Sequence, residues 1–212
     1  MNKRADLYDA DGLYSFIEGV ATEHDMKQTL LALPLMKELH KGQFRSGKDK
    51  KPYIVHPMMV AKHACALNIL DDELIAAILL HDVIEDCQIT IEELPVNDNV
   101  KEMVMRVSFL KQPGLTNEET KAHYFEKITE HKKAALLKVL DRCNNVSTMG
   151  ETFEKKRLRN YIEETETYIF PLIDMLLREC PEYRDAAFLV RYQIVSMLET
   201  LKRFLPDMES IC

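Results

Sequence analysis

Seven consecutive apolar residues, Leu74-Ile75-Ala76-Ala77-Ile78-Leu79-Leu80, run straight into His81-Asp82-Val83-Ile84-Glu85-Asp86. A run of that length is far too short to cross a bilayer. It belongs in the core of a folded domain, so the ionisable residues after it must sit at the edge of that core. Buried charges there need partners, and a metal ion is an effective one. Asp71 and Asp72 are suited to capping a helix that continues to about Asp86. Leu74, Ile75, Ile78 and Leu79 then face the core at helical spacing. His81 and Glu85 are four apart, as are Asp82 and Asp86, while Asp82 and Glu85 are three apart. On one helix these four share one side of two turns. His81 and Asp82 diverge by roughly 100° around the axis, so an ion over the seam between them can reach both but needs further ligands from other helices.

Two candidates stand in similar settings. His56 ends the apolar stretch Tyr53-Ile54-Val55 and precedes Pro57, a residue suited to a first helical turn. Asp141 ends the run from Ala134 to Leu140. Two histidines and two aspartates form a mixed nitrogen and oxygen set, which favours Mn, Fe or Mg over a structural thiolate zinc site. Taken singly, each residue has an ordinary reading: a hydrogen-bonded core histidine, a solvated helix end, a salt-bridge partner. Only the set points to chemistry.

The rest of the chain reads as helices separated by polar breaks. Residues 11–24, 25–41 (with Pro34 as a kink), 57–67, 96–110, 117–130, 132–145, 154–179 (kinked at Pro171) and 185–205 carry helical patterns. Thr90 and Glu93 form a capping box over a short helix ended by Pro95. Only six glycines occur in 212 residues, and no segment alternates like a sheet. An all-α fold is therefore expected. The net charge of −7 argues against general nucleic-acid binding. The five cysteines, Cys65, Cys87, Cys143, Cys180 and Cys212, are odd in number and widely spaced, so reduced thiols in a cytoplasmic protein are expected. Neither a signal peptide nor a membrane span is evident.

In order along the chain, His40-Lys41-Gly42-Gln43-Phe44-Arg45-Ser46-Gly47, Pro52-Tyr53-Ile54-Val55-His56-Pro57, His81 to Asp86, Lys138 to Asn145 and Glu164 to Leu172 resemble the HD-domain hydrolases of the RelA/SpoT group, especially the stand-alone small alarmone hydrolases. The resemblance spans roughly residues 25–175. It implies a single-domain, all-α HD-domain helical bundle, with residues 1–24 as an N-terminal helical extension, 25–180 as the phosphohydrolase core and 181–212 as a C-terminal helix packing on it. It implies one Mn²⁺ on His56, His81, Asp82 and Asp141, with Glu85 and Asp86 positioning and activating water. Arg45, Ser46, Asn145 and Thr148 fall where the family contacts its nucleotide. The implied reaction is hydrolysis of the 3′-pyrophosphate of guanosine tetra- or pentaphosphate (ppGpp or pppGpp), giving GDP or GTP and pyrophosphate.

The sequence departs from the family pattern in places. The usual Arg-Lys pair is Arg45-Ser46, the usual Ala before the last aspartate is Leu140, and the usual Leu-His before Asn145 is Cys143-Asn144. These spare the ligands and the carboxylate pair but bear on nucleotide choice. Two alternatives follow: an HD phosphohydrolase for another phosphorylated nucleotide, and a non-catalytic nucleotide-binding module, against which the intact Glu85 and Asp86 argue. With no second domain following, synthetase activity is not expected. The basic residues Lys50 and Lys51 read as a solvated loop. Those at Lys155, Lys156, Arg157 and Arg159 read equally as a cover over the substrate or an exposed helix face. The expected partner is a small nucleotide, with neither nucleic acid nor membrane. A homodimer through C-terminal Met and Tyr residues is possible, though core packing explains them as well.

Overall fold

The computed structural model describes residues 8–45, 50–152 and 154–205, all helix and connection apart from one isolated antiparallel bridge between Phe44 and Pro52. Helix α1 spans Ala10–Glu23 and α2 Lys27–Leu39; α3 spans Val55–Ala66, α4 Asp72–Leu80 and α5 Val83–Asp86. Next come α6 over Asp98–Val107, α7 over Asn117–Thr129 and α8 over Lys132–Thr152. The chain closes with α9 over Lys155–Glu164, α10 over Phe170–Glu179 and α11 over Arg184–Phe204. No helix among the described residues is long and apolar enough to cross a membrane.

Helices α4 and α8 form the centre. Every residue of α4 from Leu74 to Leu80 is buried, as expected of a helix apolar on all sides. It packs against α2, α3, α6 and α8. Helix α8 buries Ala134 to Leu137, Val139 and Leu140, and packs against α3, α4, α6, α7, α10 and α11. Helix α1 lies on α2 and α3.

Local chemistry explains the boundaries. The Asp71 carboxylate accepts from the Leu74 N–H at 2.9 Å and caps α4. Asp72, one residue on, serves another helix: its two oxygens accept from the Gln28 and Thr29 N–H groups at 2.9 and 2.8 Å and cap α2 from outside. Thr116 and Glu119 make the capping box of α7, and the Thr90–Glu93 box opens a 3-10 turn over Ile91–Glu93. Gly114, after Pro113, takes φ +86°, a conformation costly for any residue with a Cβ.

Three expectations change. The helix from Asp72 does not run through to Asp86; it stops at Leu80 and restarts at Val83, with His81 and Asp82 in the turn between. Helix α8 extends seven residues past Asn145, to Thr152. Around Pro171 the helix is widened rather than simply bent. A π-turn covers Thr165–Ile169, and the Phe170 N–H donates to the Thr165 carbonyl five residues back. Proline lacks the N–H that would hold an ordinary turn here, and a wide turn accommodates the loss. Pro34, by contrast, sits inside an unbroken α2.

Candidate metal centre

His56 is the second residue of α3. It is buried, and the chain is led to it by a narrow loop in which Arg45 N–H bonds to the Lys51 carbonyl and Tyr53 N–H to the Gln43 carbonyl, each at 2.9 Å. His81 and Asp82 occupy the α4–α5 turn, and Asp141 lies midway along α8. Three separate segments thus deliver four side chains to one point. His56 Nε2 lies 3.3 Å from His81 Nε2, 3.5 Å from Asp82 Oδ2 and 3.2 Å from Asp141 Oδ1. His81 Nε2 lies 3.1 Å from Asp82 Oδ2 and 3.6 Å from Asp141 Oδ1. Donor atoms of His56, His81 and Asp82 all fall within 4.8 Å of one another.

The far side of each imidazole decides what the near side can do. His81 Nδ1 lies 2.8 Å from the Ile78 carbonyl, which can only accept, so Nδ1 carries hydrogen. His56 Nδ1 lies 2.8 Å from Asn144 Oδ1. With hydrogen on both Nδ1 atoms, two bare Nε2 lone pairs and two carboxylate oxygens point at one another. A cation resolves that conflict, and orienting partners of this kind are the usual company of metal-bound histidine. The spacing also suits one ion: ligand atoms about 2.1 Å from a metal and at right angles lie about 3 Å apart. The residues therefore fit the divalent ion that the donor set implies.

Electrostatics agree. Burial would raise the pKa of Asp141, but Lys138 and the two imidazoles hold its carboxyl well below the ordinary range. Asp82 is likewise held low, against burial, by His81 and His56. His81 is driven well above the usual histidine value by Asp82 and Asp141 although burial opposes it. With no metal, the two carboxylates thus keep a proton on His81, the positive charge the cluster demands. Tyr53 donates from its hydroxyl to Asp82 Oδ2 at 2.6 Å. Burial and the Asp82 charge raise its pKa far beyond normal, so it stays a donor.

The cluster forms the floor of a cleft of about 260 Å³. Glu85, Phe109, Tyr124 and Tyr161 line its walls with three cations, Lys121, Lys138 and Arg142. Lys138 Nζ is 3.2 Å from Asp141 Oδ2. Glu164 links Arg142 and Lys121, accepting from each. Glu85 Oε1 accepts from the Phe109 N–H at 2.7 Å. Water reaches this carboxyl, yet crowding by the cleft walls raises its pKa.

Among the other sequence-derived residues, Asn145 lines the cleft. Its amide donates to Asp141 Oδ1 at 2.7 Å and accepts from Arg45 Nη2 at 2.8 Å, which ties Arg45 to the cluster. Asp86 is exposed and lies near the Tyr53 hydroxyl, outside the cleft lining, while its carbonyl accepts from Gln43 at 3.0 Å. Thr148 stands off the cleft floor, its hydroxyl turned toward the Asn144 and Asn145 carbonyls. Ser46 lies outside the described residues. Lys51 rests over the Tyr8 ring at 3.5 Å rather than in open solvent, and Lys155, Lys156 and Arg157 are exposed on the first turn of α9. Cys65, Cys87, Cys143 and Cys180 are free thiols. The sequence reading gave no role to Tyr53, Lys121, Lys138 or Glu164. Only Lys138, one helical turn before Asp141, carried a local signal.

Residues 32–170 match the HD domain family model. The guanosine-3′,5′-bis(diphosphate) 3′-pyrophosphohydrolase of Haemophilus influenzae is 36% identical over 182 residues, which cover 80% of this chain and 26% of that protein. That of Vibrio cholerae is 33% identical over 169 residues, covering 76% and 24%. The bifunctional (p)ppGpp synthase/hydrolase SpoT of Escherichia coli is 32% identical over 169 residues, with the same coverage. The chain thus spans about a quarter of the length of these curated relatives. Among solved structures, that of a metazoan ortholog of SpoT that hydrolyzes ppGpp superposes with a TM-score of 0.65 at 20% identity, covering 82% of this chain and 95% of that one. At that identity the likeness is one of fold.

Proposed function

The chain belongs to the HD domain family, and we propose that it is a divalent-metal phosphohydrolase that removes the 3′-pyrophosphate of guanosine tetra- or pentaphosphate. The observation that carries this reading is the convergence of His56, His81, Asp82 and Asp141 beside Glu85 in a cleft that also presents Lys121, Lys138 and Arg142. The names of the relatives support the choice of substrate.

His56, His81, Asp82 and Asp141 hold the ion, manganese in this reading. When bound it polarises a phosphoryl oxygen and lowers the pKa of a water. Glu85 is the general base, or aligns the attacking water: one oxygen is pinned by the Phe109 N–H and the other is left for a proton. Asp86 acts beside it, near the Tyr53 hydroxyl. Tyr53 fixes which Asp82 oxygen is turned to the cluster. Lys121, Lys138 and Arg142 offset the charge of the phosphates. Arg45, Ser46, Asn145 and Thr148 serve the nucleotide. The N-terminal extension, residues 1–24, contributes α1, which covers α2 and α3, and the C-terminal segment, 181–212, contributes α11, which packs on α8 and α10.

The test is pyrophosphate release from guanosine tetraphosphate by the purified protein, with Mn²⁺ and then with EDTA. Metal-dependent release is expected. If folded, ion-loaded protein releases none, the substrate assignment is wrong, and a panel of other phosphorylated nucleotides takes its place.

A further inference from the structure

The two histidines of the cluster are anchored differently. Behind His81 is a backbone carbonyl, at 2.8 Å, which fixes hydrogen on Nδ1 under all conditions. Behind His56 is the side-chain amide of Asn144, at 2.8 Å. The atom that faces the ring is the amide oxygen, which can only accept. His56 also has a partner for a hydrogen on its other nitrogen, because Nε2 lies 3.2 Å from Asp141 Oδ1.

We propose that Asn144 is a positioning residue for the ion: its amide oxygen holds hydrogen on His56 Nδ1 and so keeps Nε2 bare toward the cluster. This rests on the reading of His56 as a ligand. Without that acceptor the hydrogen can settle on Nε2, where Asp141 would take it, and the lone pair the ion needs is lost. Asn144 replaces the histidine usual at this point of the family pattern, and it sits on the same helix as Asp141, three residues on. One rigid element thus presents both a ligand and the group that orients another.

The experiment measures Mn²⁺ affinity of the full chain from the electron paramagnetic resonance signal of free Mn²⁺. It compares wild type, Asn144→Ala and Asn144→Asp, with thermal melts of each ion-free protein. Asn144→Ala should bind Mn²⁺ roughly 10- to 100-fold more weakly with little change in the ion-free melt. Asn144→Asp, which offers only acceptors, should bind at least as tightly as wild type. Nitrogen-15 chemical shifts of His56 in the ion-free proteins should show hydrogen on Nδ1 in the wild type and Asn144→Asp, and a mixture of tautomers in Asn144→Ala. Wild-type affinity in Asn144→Ala, or Asn144→Asp as weak as Asn144→Ala, overturns the role of Asn144. No Mn²⁺ binding by the wild type would instead overturn the ligand set itself.

Discussion

Glu85 sits where two demands meet: it must reach a water in the cleft, and it must hold a proton at a useful pH. Its carboxyl is pushed above the ordinary value of 4.5 by crowding of the cleft walls. A base works only when ionised, so turnover should rise with pH through a pKa above that value. Glu85→Gln should cost at least about 100-fold in kcat and abolish this acid limb, with Mn²⁺ affinity unchanged; a pH–rate profile and a metal titration check both. Tyr53→Phe removes one hydrogen bond to Asp82 and should weaken Mn²⁺ binding by about tenfold or less, from ~1 kcal/mol for the bond. At this scale the sequence was informative where chemistry interrupts hydrophobicity. His81 and Asp82 end one apolar run, His56 and Asp141 end two others, and the fold brings those four together. Tyr53 gave no such signal, because its partner is 29 positions away and a tyrosine after a proline suits any core. Asn144 could be seen only as a departure from a pattern; its contact with His56 spans 88 positions.

Elements here depend on side chains supplied by their neighbours. Met26 opens α2 with no cap of its own, and Asp72 from α4 fills the role. Asp72→Ala should therefore lower stability by about 1–2 kcal/mol, read as a lower Tm, by fraying α2 rather than α4, whose cap is Asp71. Glu164 ends α9 and pairs with buried Arg142 and part-exposed Lys121. Burial alone would raise its pKa, but Arg142 and Lys121 lower it below 4.5. The stability it contributes is thus complete above that value and lost as pH falls through the lower folded value. Glu164→Gln should cost about 3 kcal/mol near neutral pH, and the gap from wild type should narrow in acid; denaturant midpoints across pH test this. Helix positions and caps were readable locally from Thr116, Thr90 and Asp71. The break at His81–Asp82 was not, because its residues have no helix-breaking chemistry; the turn is set by packing and by the charges it must present.

For the molecule as a whole, folding and ion binding should be coupled. The four donors come from segments far apart in sequence, so the unfolded chain has no equivalent site. Mn²⁺ at 100 times its Kd should then stabilise the protein by about 2.7 kcal/mol, seen as a rise in Tm that EDTA reverses. Unchanged melting would count against the site. The all-helical class was legible because apolar residues recur at helical spacing and glycine is scarce. The burial of α4 was legible in its unbroken apolar run; which helices surround it was not, since that is set by long-range packing.

The length of α8 has one more consequence. Asp141, Asn144 and Asn145 are read off a single helix, where each residue advances the face by roughly 100° and the axis by about 1.5 Å. An added residue between Lys111 and Leu115 falls in an exposed connection and leaves that register untouched. One added or lost between Asp141 and Asn145 would swing the two amides off the cluster together. Insertions and deletions in this chain should therefore be tolerated by place rather than by size: readily in exposed connections such as Lys111 to Leu115, and never within that one turn of α8 or the α4–α5 turn that holds His81 and Asp82.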